Sequence, residues 1–85
     1  MTKVVNIKWR DAAAVTGWRG MNSLQRIAKS DLSFCETVGL LVADTPKKVV
    51  VVHTIGASEV SGVFEIPKGC IESMKTIGKV SAKLK

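Results

Sequence analysis

Four consecutive valines, Val49-Val50-Val51-Val52, run on into His53-Thr54-Ile55, and no other stretch limits the fold of this chain as much. Branching at Cβ favours an extended backbone, and a strand sends alternate side chains to opposite faces. Val49 and Val51 therefore share one face and Val50 and Val52 the other, so both faces of a single strand need cover. One can line a core. The other calls for the N-terminal helical segment or for a neighbouring subunit, because an exposed valine stripe beside open strand edges invites aggregation.

The rest of the chain supplies the partners of that strand. Its 85 residues make a single domain over positions 1–85, and a domain of this size has a marginal core. Alternation of Val5, Ile7 and Trp9 against Val4, Asn6 and Lys8 predicts a first strand near 4–9. A helical segment follows near 11–30, interrupted by Gly17 and Gly20. Asn22 or Ser23 is its candidate cap, and Met21, Leu24, Ile27 and Ala28 form a narrow apolar stripe that should lie on the core. Further strands are expected near 37–43, 49–55, 60–66 and 71–77, with 78–85 a frayed tail. Asp44-Thr45-Pro46 is turn chemistry and makes the second and third strands a hairpin; Asp44 is the residue expected to bond the backbone ahead of it.

Composition excludes several classes. Two cysteines, Cys35 and Cys70, rule out a disulfide framework and a zinc site of CxxC type. A single bridge between them is open, but free thiols are the usual state of a reducing compartment. No apolar run is long enough to span a bilayer, and Met1 to Asp11 shows no secretory pattern, so a soluble, cytoplasmic protein without membrane association is expected. No cofactor or metal is implied. The formal charge of +6 is unevenly spread. Both ends are basic and the middle, with Asp31, Glu36, Asp44, Glu59 and Glu65, is slightly acidic. Basic ends can be the footprint of a nucleic-acid binder or ordinary solubility charge.

Motifs for catalysis are sparse. His53 is the only histidine and sits in an apolar strand, which reads as a core or interface residue. Gly17 and Gly20 form only a GxxG, and Glu65 and Glu72 flank a turn and are expected to face solvent. Trp18 beside Arg19 could stack a base, though packing of the helical segment on the sheet explains it as well. Cys70 has Lys68 nearby, which can lower a thiol pKa, but no partner base. The chain reads as a non-enzyme.

The stretch Ile66-Pro67-Lys68-Gly69-Cys70-Ile71 is a corner. Pro67 cannot donate to a sheet ladder, so pairing should stop there. Gly69 could reverse the chain with a positive φ, and Ile66 and Ile71 would enter the interior from its two sides. Cys70 would pack beneath the turn, leaving Lys68 free to act. Strand, helical excursion, three strands, corner and final strand is the order of small SH3-like barrels, including the Sm-like proteins. Through Cys35–Val42, Val49–Ile55 and Val63–Ile71, the chain resembles small phage-encoded proteins of unknown function, some of them Sm-like. That resemblance implies a mainly β, five-stranded Sm-like barrel with an N-terminal helical excursion, a phage or prophage origin, and a ring-shaped homo-oligomer. Val60–Ile66 would pair with Ile71–Ile77 of the next subunit, with Val60, Val63, Phe64, Ile71, Met74 and Ile77 at the interface. The family's base-reading residues do not carry over, because Asp44–Lys48 and Gly56–Glu59, the matching loops, contain no aromatic. Non-specific contact with RNA or DNA would fall to Arg10, Arg19, Lys47, Lys48, Lys68, Lys79 and Lys83. The competing readings are an interaction protein that blocks a host protein or sequesters a small host ligand between subunits, and a monomeric SH3-like adaptor.

Overall fold

A computed structural model describes residues 1–11, 20–29 and 33–84. The chain is mainly β. Strand β1 (Thr2–Asp11) is followed by helix α1 (Met21–Lys29), and then by β2 (Ser33–Asp44), β3 (Lys48–Val52), β4 (Thr54–Ile55), β5 (Val60–Ser61) and β6 (Phe64–Pro67). A 3₁₀ turn (Lys68–Cys70) leads into β7 (Ile71–Val80). Five strands form one antiparallel sheet in the order β6-β3-β2-β1-β7, and β4 and β5 form a separate two-stranded ribbon. The two edge strands, β6 and β7, are consecutive in sequence but not paired, so the sheet does not close into a barrel.

The expected alternation of β1 is realised: Val5, Ile7 and Trp9 are buried. Their cross-strand partners on β7 include Met74 opposite Ile7 and Ile71 opposite Trp9, both half-buried against the same cluster. Val49, Val51 and Ile66 complete that core from β3 and β6. The sheet curls strongly enough for Trp9 on β1 to meet Phe64 on β6, across the two intervening strands β2 and β3, with ring centroids 5.6 Å apart and tilted by 53°. The Trp9 indole N–H donates to Thr37 Oγ1 at 2.9 Å, which satisfies a group that burial would otherwise leave costly.

Three register irregularities help the curl. Val42, Glu72 and Ile77 each lie where two consecutive pairings skip one residue on their own strand. Such an extra residue bends the strand and increases its twist. Gly39 serves the same packing: a Cβ there would come within 2.9 Å of the Val51 Cβ.

Several expectations change. The stretches 49–55 and 60–66 are each broken, at His53 and at Gly62-Val63. Gly62 adopts φ +69°, and its absent Cβ would fall 2.5 Å from that of His53, whose N–H donates to the Ser61 carbonyl. His53 is exposed at that break, outside the core. The second valine face does not wait for a subunit: Val52 is buried and Val50 half-buried within one chain. Helix α1 begins at Met21, ahead of both candidate caps, and the Ser23 hydroxyl donates to the Gly20 carbonyl instead. Its stripe is not on the core, since Met21, Leu24 and Ile27 are all exposed, Met21 by 80%. The core is already filled by strand residues, and the Cα radius of gyration of 16.7 Å exceeds the roughly 12 Å of a compact chain this long. The tail is ordered further than expected, with β7 reaching Val80 and the Thr2 hydroxyl donating to the Ala82 carbonyl at 2.7 Å.

Candidate functional site

The corner is built much as its sequence suggests. Pairing of β3 with β6 ends at Lys48 opposite Pro67, and the Lys68 N–H then donates to the Lys47 carbonyl at 2.8 Å. Ile66 is fully buried, and Cys70 and Ile71 pack on the core cluster. Cys35 and Cys70 are free thiols. Two details differ. Gly69 does not use a positive φ; among the described residues only Gly62 does. Nor is Lys68 free, because its ammonium bonds the Asp44 carboxylate. That contact removes Asp44 from the hairpin turn, where the Thr45 hydroxyl takes over by accepting from the Lys48 N–H at 3.1 Å and donating to the Lys48 carbonyl.

The cations named from sequence divide by whether a carboxylate reaches them. Arg10 bonds Glu72 at 2.8 Å and lies 5.1 Å over the Phe34 ring. Lys48 bonds Glu65, and Lys68 bonds Asp44. Glu65 and Glu72 therefore serve as counter-charges to separate cations and face solvent. Lys47 is exposed, and Arg19 and Trp18 lie outside the described residues.

Lys79 and Lys83 belong to a different arrangement, one that charge counting alone missed. Register places Lys79 directly opposite Lys3 on the β1–β7 ladder. The Thr2–Ala82 hydrogen bond ties the tail back over the start of β1, so that Lys83 and Lys3 line one open groove of about 460 Å³. Leu41, Val42 and Asp44 of β2 form its other wall. Asp44 is already taken by Lys68, and among the described residues Lys3, Lys79 and Lys83 have no carboxylate partner. Lys75, further along β7, likewise has no carboxylate partner among the described residues. Lys3 sits 76 positions from Lys79, so only the strand register could have joined them.

The interface residues named from sequence also separate. Ile71 and Met74 face the core, whereas Val60, Val63, Phe64 and Ile77 are 44%, 59%, 43% and 56% exposed. No helix among the described residues is long and apolar enough to cross a membrane. Comparisons with protein-family models, with curated proteins and with solved structures each find no match to this chain.

Proposed function

We propose that the chain is a non-enzymatic accessory protein of phage or prophage origin that works as a homo-oligomeric ring of open, Sm-like five-stranded sheets and holds nucleic acid through its phosphates. The observation that carries this reading is the pair of open sheet edges. β6 and β7 are each paired on one side only, and they adjoin the same 3₁₀ corner. Exposed apolar residues, Val63 and Phe64 at one edge and Ile77 at the other, stand where a second strand would add. Unpaired N–H and C=O groups beside apolar side chains form a template for strand addition. Successive β6-to-β7 pairings between copies are head-to-tail, and such contacts close into a ring when the rotation permits.

Nucleic acid is the favoured cargo because excess positive charge is grouped on the seam of the two terminal strands rather than scattered. Light scattering at two protein concentrations tests the assembly: a multiple of the chain mass is expected, and one chain mass at both concentrations overturns it. Ile77→Lys should return a folded monomer, since a lysine at an edge opposes strand addition.

One observation favours the second reading, an interaction protein that blocks a host protein or sequesters a small ligand between subunits. The Met21, Leu24 and Ile27 stripe of α1 is exposed, as a partner-binding helix face would be. A ring that forms but retains neither RNA nor DNA at low salt would favour it.

A further inference from the structure

We infer that the polyanion site is the seam of the terminal strands, where Lys3 and Lys83 line the groove and Lys79 stands opposite Lys3 on the ladder beside it, and that it takes the phosphodiester backbone of a single nucleic-acid strand without reading its bases. This inference rests on the nucleic-acid reading above and assigns it a place.

Three observations lead there. First, Lys3 and Lys79 are direct cross-strand partners. Side chains opposite each other on antiparallel strands stand roughly 5 Å apart at Cβ, and like charges in that position destabilise the ladder. Neither has a carboxylate partner among the described residues. An anion placed between them would convert mutual repulsion into two attractions.

Second, the tail is held where it adds to the cluster. The Thr2 hydroxyl is bonded to the Ala82 carbonyl, Thr2 itself is buried, and Lys83 follows on the groove wall with Lys3. The wall opposite is the Leu41–Asp44 end of β2, where the Val42 irregularity bends the strand. Its one carboxylate among the described residues, Asp44, is neutralised by Lys68, so the described wall keeps its positive sign. A volume of about 460 Å³ falls within the range of small-ligand clefts, which suits a phosphate with its sugar better than a duplex.

Third, no stacking platform among the described residues adjoins these lysines. Trp9 is buried beside Phe64, and Phe34 lies beneath Arg10. None of the described residues lining the groove is aromatic. Phosphate contacts position a strand but carry no sequence information. The groove therefore binds backbone, and its affinity should be independent of base sequence.

The test uses fluorescence anisotropy with labelled oligouridylate and oligodeoxythymidylate of equal length, across a range of salt. Three lysine–phosphate contacts on a single strand give a log–log salt slope of roughly −2. Between about 50 and about 200 mM salt, wild-type affinity should therefore fall roughly 20-fold more than that of the triple variant Lys3→Gln/Lys79→Gln/Lys83→Gln. The control is Lys47→Gln/Lys48→Gln at the corner, which leaves the Lys68–Asp44 pair intact and should keep the wild-type slope. Equal slopes for wild type and triple variant, with the loss falling on the corner variant, would overturn this placement and leave nucleic-acid binding standing. No binding by wild type at low salt would overturn both. A fold-integrity readout accompanies them: Lys3→Gln alone should raise the melting temperature at low salt and lose that gain at high salt. A fall in melting temperature instead would remove the repulsion on which the placement rests.

Discussion

The two ends of the β1–β7 ladder carry the same kind of cation and treat it differently. Near the corner, where Trp9 faces Ile71, Arg10 meets Glu72, and Lys48 and Lys68 have their own carboxylates. At the far end, where Thr2 faces Val80, Lys3 stands opposite Lys79 and none of the described acidic groups answers them. Packing follows the same division. The corner rests on Ile66, which is fully buried, whereas Ile77 near the far end is 56% exposed. One end is settled in both packing and charge; the other retains uncompensated charge at a cost in stability. A domain with so small a core gains nothing in folding from that cost, so the far end is where binding should be sought.

The comparison is broken most easily at the corner's core. Ile66→Ala should cost about 2–5 kcal/mol, the range for truncating a fully buried aliphatic side chain, whereas Ile77→Ala should stay within about 0.5 kcal/mol in the monomer. Urea unfolding of both variants measures the difference. A similar cost for the two would mean that the ladder is packed evenly, or that Ile77 is buried in an assembly; repeating the measurement on Ile77→Lys separates these.

Gly62→Ala comes next, at about 1–3 kcal/mol for a side chain forced into a left-handed backbone, with a clash added against the His53 Cβ. His53→Gly in the same chain should recover the clash and leave the backbone cost. If the double variant is no more stable than Gly62→Ala, close approach of the two strands is not what glycine provides there. Smaller again is Thr37→Val. It leaves the Trp9 indole N–H without an acceptor in a half-buried place, at about 1 kcal/mol because water can reach it, and tryptophan fluorescence should report the change alongside the melting curve.

Much of the fold was legible because strands declare themselves by period. Val5, Ile7 and Trp9 announced their face, the valine run announced a two-sided strand, and Pro67 announced where pairing ends. What stayed hidden depends on pairings between distant residues. Nothing in the local sequence says that Asp44 would leave its own turn for Lys68, since the turn is equally well served by Thr45. The break at Gly62 was unreadable for a similar reason: the close approach it accommodates comes from His53 on another strand segment. The helix misled in the opposite direction. A helical apolar stripe at Met21, Leu24 and Ile27 ordinarily marks a face turned to the core, but stripe periodicity reports that a face is apolar and not what covers it. The site divided along the same line. Counting charge named Lys79 and Lys83 together with Arg10, Lys48 and Lys68 and could not separate them, because the carboxylates that reach the last three lie 62, 17 and 24 positions away in sequence.

The smallest effect is the one that separates the two ends by sign. Glu72→Gln removes the partner of Arg10. Both side chains are more than a third exposed, so the loss should be no more than about 1 kcal/mol. Lys79→Gln removes one of two facing lysines, and stability should rise by a few tenths of a kcal/mol. Salt should shrink both effects toward zero, because exposed charges are screened within about 10 Å at 0.1 M. Paired melting curves at low and high salt are therefore more informative than either variant alone. Opposite signs that converge with salt require an end of the ladder where charge is satisfied and an end where it is not. Two losses would mean that Lys79 contributes to the fold through the packing of its aliphatic stem, and the unpaired end would then owe its lysines to structure rather than to a ligand.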